Sequence, residues 1–207
     1  MPRASKETME LHRRAITEAS ARLMREHGIA GVSVTDLMGA AGLTHGGFYG
    51  HFESKDALAA AACSRAFGQS IERWHQRVSG CGPAEALQAL VAAYLSIRTR
   101  DSPGSSCPAA SLVGDVAREP SHAPVRAAYV AGVKDLIGIL SSVQATGNTD
   151  GDRRQALAQF ATMVGALMLA RATVGDAISE EFLGAAREML DSSASPEGGA
   201  KAPRRRG

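Results

Sequence analysis

Residues 33–56, SVTDLMGAAGLTHGGFYGHFESKD, constrain this chain more than any other stretch, because helix starts and stops recur in them at close spacing. Ser33 is a good N-cap, and Asp36 three residues on answers it in a capping box while placing negative charge at the positive helix end. A helix over 34–41 is therefore expected. Gly42 stands where a helix C-terminus needs a left-handed residue, and Leu43 folds back onto the preceding turn. Thr44 caps a second helix over 45–51, so the connection is only a few residues long, as in a helix-turn-helix. Leu37, Ala41, Leu43, Phe48 and Phe52 supply the apolar side, and Thr44, His45, Gly46, Tyr49 and His51 are left outside.

Along the rest of the chain helical periodicity recurs and strand alternation does not. Leu11, Ala15, Ala19 and Leu23 mark one face of a first helix from Lys6 to His27, with Gly28 just beyond it. Ser54-Lys55-Asp56 opens a long helix carrying Leu58, Ala62, Phe67, Ile71, Trp74 and Val78, and Gly80-Cys81-Gly82-Pro83 ends it. Further helices are expected around Leu87–Leu95, over Cys107–Arg118, around Val125–Val143, over 152–175 and over 179–192. The fold class is all-α with about nine helices: a three-helix head over 1–53, a larger helical body over 54–192, and a Pro/Gly-rich basic tail over 193–207 expected to be disordered.

The 207 residues are ample for a sizeable core. The net charge is +2, and Lys201, Arg204, Arg205 and Arg206 supply +4, leaving −2 for everything before them. Any affinity for nucleic acid must then come from local placement of charge and backbone donors. No apolar run approaches the roughly 20 residues needed to span a bilayer. The start, MPRASKETMELHRR, lacks the apolar core of a secretion signal, so no membrane association and a cytoplasmic location are expected. Cys63, Cys81 and Cys107 form neither an even framework nor a C-x-x-C pair, which suits a reducing compartment and argues against structural zinc. No metal or cofactor is expected.

The run Asp36, Leu37, Met38, Ala41, Gly42, Leu43, Thr44, Gly46, Phe48, Tyr49, His51, Phe52, Ser54, Lys55 and Leu58 resembles the motif of the tetracycline-repressor (TetR) family of bacterial transcriptional regulators. The resemblance covers roughly residues 8–60. His45, Gly47 and Gly50 depart from the usual pattern. The resemblance implies a homodimer that places two 44–51 helices in successive major grooves of a palindromic operator on double-stranded DNA. It also implies a small-molecule effector bound in the body, with repression as the usual outcome.

The candidate DNA-binding residues are Thr35, Thr44, His45, Gly46, Gly47, Tyr49, His51 and Lys55. Thr35 and Lys55 lie near helix N-termini, whose free N–H groups favour a phosphate, and the family resemblance gives Tyr49 a phosphate contact. Gly46 and Gly47 each cost a helix roughly 1 kcal/mol relative to Ala, which close backbone approach to DNA or a loose helix ordered by DNA would explain. Dimer contacts are expected from Leu157, Phe160, Val164, Leu167, Phe182, Leu183 and Met189, because these last two helices carry more apolar surface than one buried stripe needs. Cys107, at the N-cap that Pro108 implies, is a candidate effector-responsive thiol whose pKa the helix dipole would lower. Packing in the core or pocket is its competing role. Enzymatic function would need Cys107 as nucleophile with His122 as base, and no glycine-framed oxyanion site accompanies them. A helical protein-interaction module is the remaining alternative.

Overall fold

The computed structural model describes residues 6–192. These hold nine α-helices, two short 3-10 helices and no strand. In order they are α1 (Lys6–His27), α2 (Val34–Ala40), a 3-10 helix His45–Gly50, α3 (Lys55–Val78), α4 (Pro83–Tyr94), α5 (Ile97–Asp101), a 3-10 turn Pro103–Ser105, α6 (Pro108–Arg118), α7 (Pro124–Val143), α8 (Thr149–Ala172) and α9 (Ile178–Ser192). The tail expected over 193–207 lies outside the described residues.

Nine helices agree with the expected number, but two of the members differ. The segment 45–51 is 3-10 rather than α-helical, and α5 was not foreseen. Three glycines in HGGFYG weaken an α-helix, and bonds such as Gly47 N–H to Thr44 O and His51 N–H to Phe48 O close tighter turns instead. In α5, Ser96 accepts from the Thr99 N–H while both hydroxyls return to the Ala93 carbonyl. Helix α8 starts three residues before the expected 152, because the Asn148 carboxamide oxygen caps Gly151 N–H at 3.1 Å. Buried Asp152 also accepts from the Thr146 amide and hydroxyl.

Helix α1 buries a different face from the one its apolar spacing predicts: Ile16, Ser20, Met24 and Arg25 point inward and Leu11 is exposed. Helix α3 joins head to body and packs chiefly on α1 and α7. The segment just after α1 is also held to α6, where Asp115 accepts from Ile29 N–H at 3.3 Å. One apolar core runs from Ile16, Phe48 and Phe52 in the head to Leu136, Met163 and Leu167 in the body. Burying each such side chain contributes roughly 1.5–3 kcal/mol. On α7, Gly132 lets α3 approach so closely that a Cβ there would lie 2.1 Å from the Phe67 ring.

Four dimer candidates remain on or near the surface and three do not. Phe160, Leu167 and Leu183 are buried in the subunit's own core, and Phe160 stacks edge-on against Trp74 and Tyr94. Phe160 and Leu167 belong to the inward-facing α8 stripe Ala156–Phe160–Met163–Leu167–Ala170, and Leu183 to the buried side of α9 with Ala186 and Leu190, so none of the three can also face a second copy. The opposite side of α8 exposes Leu157, Ala161, Met168 and Leu169, with Val164 half-buried. On α9 Phe182 is half-buried and Met189 is 52% exposed.

Candidate nucleic-acid interface

Each signal read from residues 33–43 forms as expected. Ser33 Oγ accepts from Asp36 N–H at 3.1 Å, and the Asp36 carboxylate accepts from Ser33 N–H at 2.9 Å. The paired Ser33 bonds hold the Asp36 carboxyl below its ordinary range. At the other end Gly42 takes a left-handed φ of 73°, Leu43 N–H reaches Met38 O at 2.9 Å and Gly42 N–H reaches Gly39 O at 3.0 Å. This is a Schellman stop, and it aims the chain into the second helix.

Thr44 occupies the N-cap position, but its side chain makes no cap hydrogen bond, contrary to the capping role its position predicts. Gly47 N–H, one of the amides it could have met, bonds the Thr44 carbonyl at 3.1 Å instead. The Thr44 hydroxyl is therefore left at the surface beside His45, whose Nδ1 lies 3.3 Å from Thr35 Oγ1. Tyr49 is 75% exposed, and its ring meets Phe48 in a T-shaped arrangement at 5.2 Å. A Cβ on Gly46 would meet nothing within 4 Å, and Gly47 would meet only Met38. Neither glycine is therefore required by packing within the chain.

His51 stands apart from this outward group. Its carbonyl accepts from the Arg13 guanidinium, its ring meets His12 edge-on at 5.7 Å, and Arg13 also lies 4.4 Å over the Phe52 ring. Burial first, then the nearby His12 and Arg13, push the His51 pKa down, so the ring is neutral near pH 7. Its partners make His51 a joint between α1 and the turn. Lys55 begins α3, where Ser54 Oγ accepts from Ala57 N–H at 3.0 Å, and among the described residues its amine has no carboxylate bridge.

Sequence reasoning missed the residues that tie this head to the body. Arg25, near the end of α1, is buried and donates to Ala21 O, Ser106 O and Gln69 Oε1 at 2.8–2.9 Å. Its pKa falls to about 10, mainly through burial and then through Arg73. Ser106 is held from the other side by Arg171 of α8, which donates to its hydroxyl at 2.6 Å and to the Thr99 and Arg100 carbonyls. The available signal was Arg171 itself, a lone cation in the apolar run ALMLARATV. Desolvating such a charge is costly unless it is bonded.

Cys107 does fall at the α6 N-cap, but it is only 5% exposed and its pKa is raised, not lowered. Burial outweighs the Tyr94 contact and the Ala109 and Ala110 amides that favour the thiolate. Cys63 is pushed up to about 12 by burial alone. His122 is exposed beyond the far end of α6, roughly 16 Å away at 1.5 Å per residue, so the fold does not assemble a Cys107–His122 pair. Among the described residues no group of three or more His, Cys, Asp or Glu is placed to hold a metal, and no helix is long and apolar enough to cross a membrane.

A capped helix, a Schellman turn and an outward-facing second helical turn, carried on a helical body, define a helix-turn-helix regulator. Residues 16–62 match the family described as bacterial regulatory proteins, tetR family. Over these residues the chain is similar to the TetR family of DNA-binding transcriptional regulators. It is 31% identical over 81 residues to the HTH-type transcriptional regulator YerO of Bacillus subtilis (strain 168), a match covering 38% of this chain and 28% of that relative's length. A TetR transcriptional regulator from Chloroflexus aurantiacus J-10-FL superposes with a TM-score of 0.73 at 26% identity, over 90% of this chain and 95% of the other. The reduced form of Escherichia coli NemR shares the fold, with a TM-score of 0.74 at 22% identity over 87% and 95% of the two chains.

Proposed function

We propose that this regulator is a repressor that binds a palindromic operator as a homodimer and releases it when a small molecule occupies the body. The functional division is a reading head over 1–53 and an effector-binding and dimerisation body over 54–192. The observation that carries the DNA reading is the face formed by Thr44, Gly46 and Tyr49: an unused hydroxyl, open space over a glycine and a projecting phenol. Thr44 and His45 are placed to read base edges. Tyr49, Lys55 and Thr35 serve phosphates, and Gly46 and Gly47 let the backbone approach the groove. His51 supports the turn from behind.

Dimerisation is assigned to the outward side of α8 and to Phe182 and Met189 of α9, with Leu157 and Val164 retained from the expected set and Met168 and Leu169 added. A non-covalent effector fits better than a thiol-reactive one, because Cys107 is buried and its thiolate is disfavoured. Selection from randomised duplexes, followed by binding at several salt concentrations, tests the reading. An enriched palindrome is expected. Lys55→Ala should lower the salt slope by about 1 without changing the preferred sequence, whereas Thr44→Ala should change it. Gly46→Ala should stabilise the protein by up to roughly 1 kcal/mol and still weaken operator binding. A selection that enriches no sequence would refute the proposal.

A further inference from the structure

A cavity of about 500 Å³ opens between α3, α4, α5 and the Ser102–Cys107 segment. Its volume suits a small molecule. Three guanidinium groups, Arg73, Arg77 and Arg98, line it, and its wall includes no carboxylate. Arg73 is partly buried, donates to the Ser70 hydroxyl at 2.9 Å and lies under the repulsion of Arg77, which neighbouring Glu72 offsets in part. Among the described residues none of the three takes part in an ion pair. Clustering like charges in a half-closed site is unfavourable unless an anion joins them, and guanidinium forks match the two oxygens of a carboxylate. A second polar group is also unmatched. Tyr94 lines the same cavity, is 4% exposed, and its hydroxyl has no hydrogen-bond partner of standard geometry, only the Cys107 thiol beside it. Trp74 and Tyr94, packed edge-on at 6.1 Å, give the cavity an aromatic wall.

We propose that this cavity binds a small organic carboxylate, its oxygens held by Arg73 and Arg98 and its apolar part lying against Trp74 and Tyr94. The site deepens the repressor reading and rests on it only for its regulatory consequence. That consequence passes through Ser106, which lines the cavity while its carbonyl accepts from Arg25 of α1 and its hydroxyl from Arg171 of α8. A ligand that moves Ser106 acts on the reading head and on the dimer helix together. The arginines give selectivity against neutral and cationic analogues, which leave the charges unmatched.

Trp74 is the chain's single tryptophan, so its emission reports on this cavity. The full chain is titrated with hexanoate, hexanamide, hexylamine and inorganic phosphate at fixed ionic strength. Hexanoate should give a saturable change in emission at concentrations at least tenfold below hexanamide, with hexylamine inert. Arg98→Gln, at an exposed position, should weaken hexanoate at least tenfold with an unchanged circular dichroism spectrum, and Arg73→Lys should retain more of the binding than Arg73→Gln. Equal binding of acid and amide, or unaltered binding in Arg98→Gln, would overturn the assignment. Phosphate binding as tightly as hexanoate would overturn the choice of a carboxylate. A chain that selects no operator but still binds hexanoate would refute the repressor and leave this site standing.

Discussion

Gly132→Ala should destabilise this protein even though it replaces a helical glycine with the best helix former. In an unhindered helix the exchange gains roughly 1 kcal/mol. At Gly132 the new methyl would lie 2.1, 2.4 and 2.5 Å from three atoms of the Phe67 ring, against the ordinary separation of about 3.5–4.0 Å. The ring cannot swing clear cheaply. Phe67 is fully buried and meets Tyr129 edge-on at 5.4 Å, and the Tyr129 hydroxyl is tied to Ala109 O at 2.8 Å. Relief therefore requires α7 to back away from α3 along their main contact. Overpacking of this kind costs about 1–3 kcal/mol, and an overlap of several ring atoms belongs at the upper end. The net expectation is about 2 kcal/mol of destabilisation, or a melting temperature lowered by roughly 4–8 °C for a chain of this size. Urea denaturation followed by circular dichroism measures it. The control is Phe67→Leu, in which Gly132→Ala should become neutral or stabilising, giving a coupling of roughly 2–3 kcal/mol in the double-mutant cycle. If Gly132→Ala were as stable as the parent, or if the two changes were simply additive, the close α3–α7 contact would not be what selects glycine here.

Stability of the head should fall in acid. The Asp36 carboxyl is held below its ordinary value by Ser33, so its contribution is fully present above that value and is lost as pH drops through the lower folded-state value; the acid sensitivity should shrink in Asp36→Asn, and an identical acid profile in that variant would count against the capping box. Leu169→Glu and Met189→Glu should yield folded monomers with weakened operator affinity, whereas Leu167→Glu should unfold the subunit; sedimentation and circular dichroism separate these outcomes, and dimeric charged variants would move the interface elsewhere. N-ethylmaleimide should label half-buried Cys81 first, with Cys107 and Cys63 protected until unfolding, and rapid native labelling of Cys107 would reopen the thiol-effector reading.

Local rules determine the first helix of the reading segment, its turn and the start of α3, but not the 3-10 form of 45–50. The capping box at Ser33 and Asp36, the left-handed Gly42 and the Ser54 cap use only neighbours within a few residues, so their chemistry is complete in the sequence. Helix spans followed for the same reason, with the first helix ending at His27 as expected. Tertiary structure decided which face of each helix is spent inside. Apolar spacing in α8 marked Phe160 and Leu167 together with Leu157, but only tertiary packing, for Phe160 against Trp74 and Tyr94, turned the first two inward and left the third exposed. The face of α1 was likewise set by its neighbours: Ile16 and Met24 are buried while Leu11 remains outside. Cys107 occupies the N-cap that Pro108 implies, yet its reactivity turned on burial, a property of the whole fold. The bonds from Arg25 and Arg171 to Ser106 span 81 and 65 residues, a separation no local pattern encodes. They form because buried cations take whatever oxygens the completed fold brings within reach.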